Sequence, residues 1–130
     1  MQYVESFRDL EVYKLSRQLA REIFEISKHF PKEEMYSLTD QIRRSSRSVG
    51  AQIAEAWAKR NYEKHFINKL TDSDGEQLET QHWLEVSLDC SYITNEVVAD
   101  LLKKYETIGK MLSSMMKKSK SFCKKSDKKL

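Results

Sequence analysis

Apolar positions along this chain recur by threes and fours in four separate blocks. In the first, from about residue 8 to 29, Val12, Leu15, Leu19, Ile23, Ile26 and Phe30 step by 3, 4, 4, 3 and 4, the spacing of one helix face. Tyr13, Ala20 and Phe24 form a stripe beside it. Pro31, the only proline, disfavours helical backbone at Phe30 and suits the first turn of the next helix. A second helix is predicted from about residue 34 to 59, and Asn61 marks a short polar break. In the third block, Phe66, Leu70, Ser73, Gln77, Thr80, Gln81, Leu84 and Leu88 share one side. That stripe is polar in its middle, so its buried Ser, Gln and Thr side chains need hydrogen-bond partners. Thr94 is a suitable N-cap for the fourth helix, where Val97, Leu101, Tyr105, Ile108, Leu112 and Met115 step by 4, 4, 3, 4 and 3. Long helices joined by short connections predict an all-α, antiparallel up-down-up-down four-helix bundle.

The second helix carries two apolar faces where an amphipathic helix needs one. Leu38, Ile42, Ser45, Val49, Ile53 and Ala56 follow a core stripe. Nearly opposite lie Gly50, Ala51, Ala54 and Ala58, a strip of small residues that continues N-terminally into Arg43 and Arg47. A helix that is small or apolar nearly all round is normally covered on both sides. The strip is therefore expected to be an oligomer interface.

The composition agrees with long helices: 130 residues hold one proline and three glycines. The net charge of +3 divides unevenly. Residues 117–130 hold seven lysines against Asp127, and residues 1–116 then hold 16 basic against 19 acidic residues. The expected division is a bundle domain over 1–116 and a disordered, lysine-rich tail over 117–130. Within the bundle, residues 41–69 carry seven Arg or Lys against Glu55 and Glu63, whereas residues 70–102 carry eight acids and no Arg or Lys. Opposed fields of this kind suit neighbouring helices or neighbouring subunits, so Arg43 and Arg47 are expected to meet acids such as Asp72 and Glu79. Cys90 and Cys123 make neither a disulfide framework nor a metal-type pair. The first residues have no signal-peptide pattern, and no apolar run is long enough to span a bilayer, so a cytoplasmic protein without a membrane partner is expected.

Chemical constellations are sparse. A di-iron bundle wants Glu-x-x-His on two helices, and Glu79 with His82 is one such spacing without a second. Both also fall opposite the core stripe of their helix. Ser45, Ser46 and Ser48 have no histidine nearby in sequence to activate them, and there is no Gly-rich phosphate loop. No cofactor, metal or small-molecule substrate is expected, and no enzyme. Arg43, Arg44 and Arg47, extended by Lys59, Arg60 and Lys64, form the candidate nucleic-acid set, with Trp57 or Tyr62 available to stack on a base.

Several segments are recognisable together: F-x-x-L-x-V-Y at 7–13, F-P-x-x-E at 30–34, L-x-x-Q-x-R-R-S at 38–45, and S-V-x-x-N-I-A-E at 48–55 with Gln52 in place of Asn. They resemble the four-helix bundle family of the 23S ribosomal RNA intervening-sequence proteins over residues 7 to about 116. Where many members carry A-R-G-S, this chain has Thr71, Asp72, Ser73 and Asp74, as in a branch marked by D-x-D-x-E at 72–76 and E-T-Q-x-W-L at 79–84. The resemblance implies a bacterial, cytoplasmic, ring-like homo-oligomer, a pentamer. It also implies kinship with the accessory protein of diversity-generating retroelements, which assists a reverse transcriptase and binds nucleic acid. Two expectations result: a non-catalytic oligomeric scaffold or adaptor, and, as the alternative, an RNA- or DNA-binding accessory protein working with a nucleic-acid enzyme or ribosomal RNA.

Overall fold

Each block of three- and four-residue spacing is a helix in the computed structural model, which describes residues 4–123. α1 spans Glu11–Ser27, α2 Leu38–Ala58, α3 Glu63–Asp89 and α4 Asn95–Lys117. α1 starts later than its pattern suggests because a 3-10 turn, Phe7–Asp9, precedes it. Ser6 closes that turn by accepting the Arg8 N–H at 3.2 Å, while the Asp9 carboxylate accepts the Ser6 N–H at 3.2 Å. Pro31 leads into a second 3-10 turn, Lys32–Glu34, before α2. α3 ends in a left-handed Ser91, φ 63°, with the Tyr92 N–H on the Ser87 carbonyl and the Ser91 N–H on the Leu88 carbonyl. Thr94 caps α4 as expected, accepting the Val97 N–H at 3.2 Å.

Each long helix packs against two neighbours, α1 on α2 and α4, α3 on α2 and α4, so the chain forms the expected four-helix bundle. On α4 the buried set is Val98, Leu101, Tyr105, Ile108, Leu112 and Met115; on α3 it is Phe66, Leu70, Ser73, Gln77, Thr80, Leu84 and Ser87. Both alternate strictly by threes and fours, a period of about 3.5 that keeps a seam facing its partners. The register of α4 thus differs by one at its start: Val98 is inside and Val97 is exposed. On α3 Ser87 replaces the expected Leu88, which is half-buried, as is Gln81. All six stripe residues of α2 are buried, whereas Leu15 and Ile26 of α1 lie at the core's edge.

The polar middle of α3 finds its partners. The Ser73 hydroxyl donates to the Val49 carbonyl at 2.8 Å, and Thr80 Oγ1 lies 2.8 Å from Ser45 Oγ and 2.9 Å from the Glu76 carbonyl. Gln77 donates to Asp74 at 2.9 Å and accepts from Gln81 at 2.8 Å. Gly109 gives that amide room, since a Cβ there would sit 3.0 Å from Gln77 Nε2. At the margin Lys69 reaches Glu55 at 2.7 Å and Gln52 at 3.3 Å. That pair holds the Glu55 carboxyl below its ordinary range, through the Lys69 hydrogen bond first.

The basic segment enters the fold further than its composition suggests. Lys117 closes α4, a single turn, α5 (Ser119–Phe122), follows, and Cys123 is buried. Phe122 stacks on Phe66 with centroids 5.8 Å apart, and the Ser119 hydroxyl donates to the Glu63 carboxylate. The tail expected from residue 117 therefore contributes residues 117–123 to the bundle; residues 124–130 lie outside the described residues. Among the described residues no helix is long and apolar enough to cross a membrane.

Tyr105, fully buried, has a hydroxyl without a hydrogen-bond partner among the described residues. Burial, and then the Glu22 charge, push its pKa up. An unmade buried hydrogen bond costs about 1–3 kcal/mol. Tyr105→Phe is therefore expected to stabilise the bundle by about 1 kcal/mol in urea unfolding, and a lower midpoint would contradict the assignment.

Candidate assembly face

The two-faced character of α2 resolves into two different coverings. Its core stripe faces the bundle interior, and Ser46 and Gly50 are buried against α1. The approach is close because small residues meet there. A Cβ on Gly50 would lie 3.0 Å from Ser16 Oγ and 3.5 Å from a Tyr13 ring carbon. Ser16, Ser27 and Ser46 turn their hydroxyls onto the carbonyls of Tyr13, Phe24 and Arg43, so they can be buried at little polar cost. The predicted small-residue strip is thus divided. Gly50 belongs to the fold, Ala54 is half-buried, and Ala51 and Ala58 are exposed.

Between α1 and α2 the same residues leave an open groove of about 360 Å³, lined among others by Phe7, Tyr13, Ala20, Ala51 and Ala54. Phe7 meets Tyr13 edge-on at 4.9 Å. Arg43 and Arg47 lie on the same α1–α2 side, with guanidinium carbons 4.7 and 5.6 Å from the Phe24 ring centroid. Arg43 also donates to Ser27 Oγ at 2.7 Å. Cation–π contacts at such sites contribute about 0.5–1 kcal/mol each.

This placement answers where the arginines point. Within the chain Arg43 and Arg47 face the aromatic stripe of α1, not the acids of α3. Asp72 and Glu79 are both exposed on α3, the first 4.0 Å from Lys69 and the second accepting the Trp83 indole N–H at 3.0 Å. The arginine that does face α3 is Arg44, which shares a cleft of about 220 Å³ with Ser48, Glu76 and Glu79 and lies 3.9 Å from Asp40. In that cleft the Glu76 carboxyl is pushed up by burial and by Glu79.

The six residues of the candidate nucleic-acid set do not form one patch. Arg43 and Arg47 lie toward α1, Arg44 toward α3, and Lys59 is about 24 Å along α2 from Arg43. Arg60 lies over the Trp57 ring at 3.7 Å and donates to the Trp57 carbonyl at 2.8 Å. Glu79 and His82 point away from the core, and Ser45 and Ser46 are buried, with hydroxyls on backbone carbonyls. Sequence reasoning found the flanking stripe of Tyr13, Ala20 and Phe24 but missed that Phe24 would be the arginines' platform. A Phe on one helix and arginines one turn apart on the next were the available signal.

Three comparisons bear on this chain. Residues 8–114 match the family model of the 23S rRNA-intervening sequence protein. The fold is similar to the crystal structure of a protein of unknown function from the S23 ribosomal protein family of Bacteroides thetaiotaomicron, with TM-score 0.73, 34% identity, and coverage of 82% of this chain and 95% of that one. No curated protein matches.

The close α1–α2 approach carries a direct consequence. Gly50→Leu forces side-chain atoms into Ser16 and Tyr13 and is expected to destabilise the bundle by about 1–3 kcal/mol. Thermal unfolding checks it; an unchanged or higher midpoint would show that α1 does not lie this close to α2.

Proposed function

The chain belongs to the 23S rRNA-intervening sequence protein family, and from that premise we propose that it acts without catalysis, as an oligomeric scaffold or adaptor. The observation that carries the reading is the face of α2 that the bundle leaves uncovered. Ala51 and Ala58 are exposed beside the open groove over Tyr13 and Phe7. A second helix can approach such a surface closely, because its small side chains keep backbones near each other. Arg43 and Arg47 edge this face, while the exposed acids Asp72 and Glu79 belong to α3. A contact joining an arginine edge to an acidic edge uses two different faces of each subunit. Such head-to-tail contacts make a ring when the rotation between subunits closes and an open filament when it does not. The proposed assembly is a ring of this kind, with five subunits as the family resemblance implies, working in the cytoplasm.

The non-catalytic part of the proposal rests on how the polar side chains are used. The hydroxyls of Ser46, Ser73 and Thr80 hydrogen-bond to backbone carbonyls or to Ser45, and the Gln77 amide to Asp74 and Gln81. They satisfy the core, which is a structural task.

Ala51→Arg tests the interface. Ala51 is exposed in the single chain, so the substitution leaves the bundle itself intact. The expected result is a fall in mass by light scattering toward the 15.4 kDa of one chain, with unchanged helical circular dichroism. A variant that keeps the mass of the parent protein rules this face out.

A further inference from the structure

Exposed lysines gather at one end of the bundle. Residues 70–102 hold eight acids and no Arg or Lys, whereas residues 107–130 hold eight lysines against Asp127. Antiparallel helices bring the start of α1, with the acids Glu5, Asp9 and Glu11, the end of α2, the start of α3 and the end of α4 to one end. α5 fastens that junction: Phe122 stacks on Phe66, Ser119 hydrogen-bonds to Glu63, and Cys123 is buried. Residues 124–130, outside the described residues, hold four further lysines. Lys59, Lys64, Lys117 and Lys118 are all exposed here, and among the described residues Lys64, Lys117 and Lys118 make no ion pair. Glu63, an acid in their midst, is engaged by Ser119.

Tyr62 lies at the same end, between Lys59 and Lys64 in the chain and next to Glu63, which Ser119 of α5 contacts. Its side chain is 63% exposed, and its ring lies 5.5 Å from that of His65, also exposed. Exposed cations at the same end as an accessible aromatic ring are the two parts a single-stranded nucleic acid needs: charge for phosphates and a flat surface for an unstacked base. A membrane surface fits less well, because it needs an apolar face to insert. The other large exposed hydrophobics, Met35, Tyr36, Leu78 and Val97, lie elsewhere on the bundle. We infer that this end face binds single-stranded nucleic acid, with phosphates on Lys59, Lys64, Lys117 and Lys118 and a base stacked on Tyr62. The site keeps Lys59, Lys64 and Tyr62 of the candidate nucleic-acid set, replaces its arginines by Lys117 and Lys118, and stands independently of the assembly face, since Ala51→Arg leaves all of these residues in place.

The test is fluorescence anisotropy of the full chain with a labelled single-stranded RNA of mixed sequence and a duplex of equal length. The single strand is expected to bind more tightly than the duplex. Tripling the salt concentration is expected to weaken it roughly 20-fold, for about four phosphates neutralised. Replacing the four lysines by Gln should weaken it about tenfold or more. Tyr62→Ala should remove the preference for single strands, while Tyr62→Phe should keep it. The inference is overturned if the four-lysine variant binds like the parent, if duplex and single strand bind alike, or if deleting residues 124–130 alone abolishes binding. It is equally overturned if the four-lysine variant changes the protein's mass in solution but not its RNA affinity, which would assign the lysines to the acids of a second copy.

Discussion

The polar seam between α2 and α3 is the constraint on which the remaining geometry depends. Ser73 must reach the Val49 carbonyl and Thr80 must lie against Ser45, 2.8 Å apart in each case. An apolar seam tolerates sliding, since one leucine contact replaces another at small cost. A buried hydroxyl does not, because a shifted register leaves it unsatisfied at about 1–3 kcal/mol. The seam therefore sets both the height and the rotation of α2. Its rotation turns Ser46 and Gly50 toward α1 and leaves Ala51 and Ala58 outside. Its height brings the end of α2 level with the start of α3, where the lysines gather.

Much of this was legible in the residues. The stripe from Leu38 to Ala56 is buried throughout, and the demand of Ser73, Gln77 and Thr80 for partners is met within the core. The misses have distinct physical causes. Val97 and Val98 are chemically identical neighbours, so which one turns inward depends on the helix's rotation against α3 rather than on periodicity near its start. Charge counting sees opposite signs and does not see the face of Phe24, on which Arg43 and Arg47 lie within the chain; their meeting with Asp72 and Glu79 concerns a neighbouring subunit. Phe122 sits in a lysine-rich run, and composition averaged over that run concealed one aromatic anchor.

The divided small-residue strip shows how a pattern can be right and its meaning incomplete. Gly50 and the alanines share one side of α2, yet Gly50 is used to let α1 approach within the chain. What remains for another subunit is narrower: Ala51, Ala58 and the groove over Tyr13, with the two arginines along its edge. The same division separates the roles of the cations. Those on α2 stack on α1 or face the acids of α3, while the lysines beside Tyr62 stay solvent-exposed.

The claim most exposed to refutation is that this bundle works as an assembly. The mass of the unmodified full chain in solution, by size-exclusion chromatography with light scattering, tests it most directly. One discrete species at a whole-number multiple, five, of 15.4 kDa is expected. A single species at the mass of one chain, unchanged as concentration rises, would contradict it.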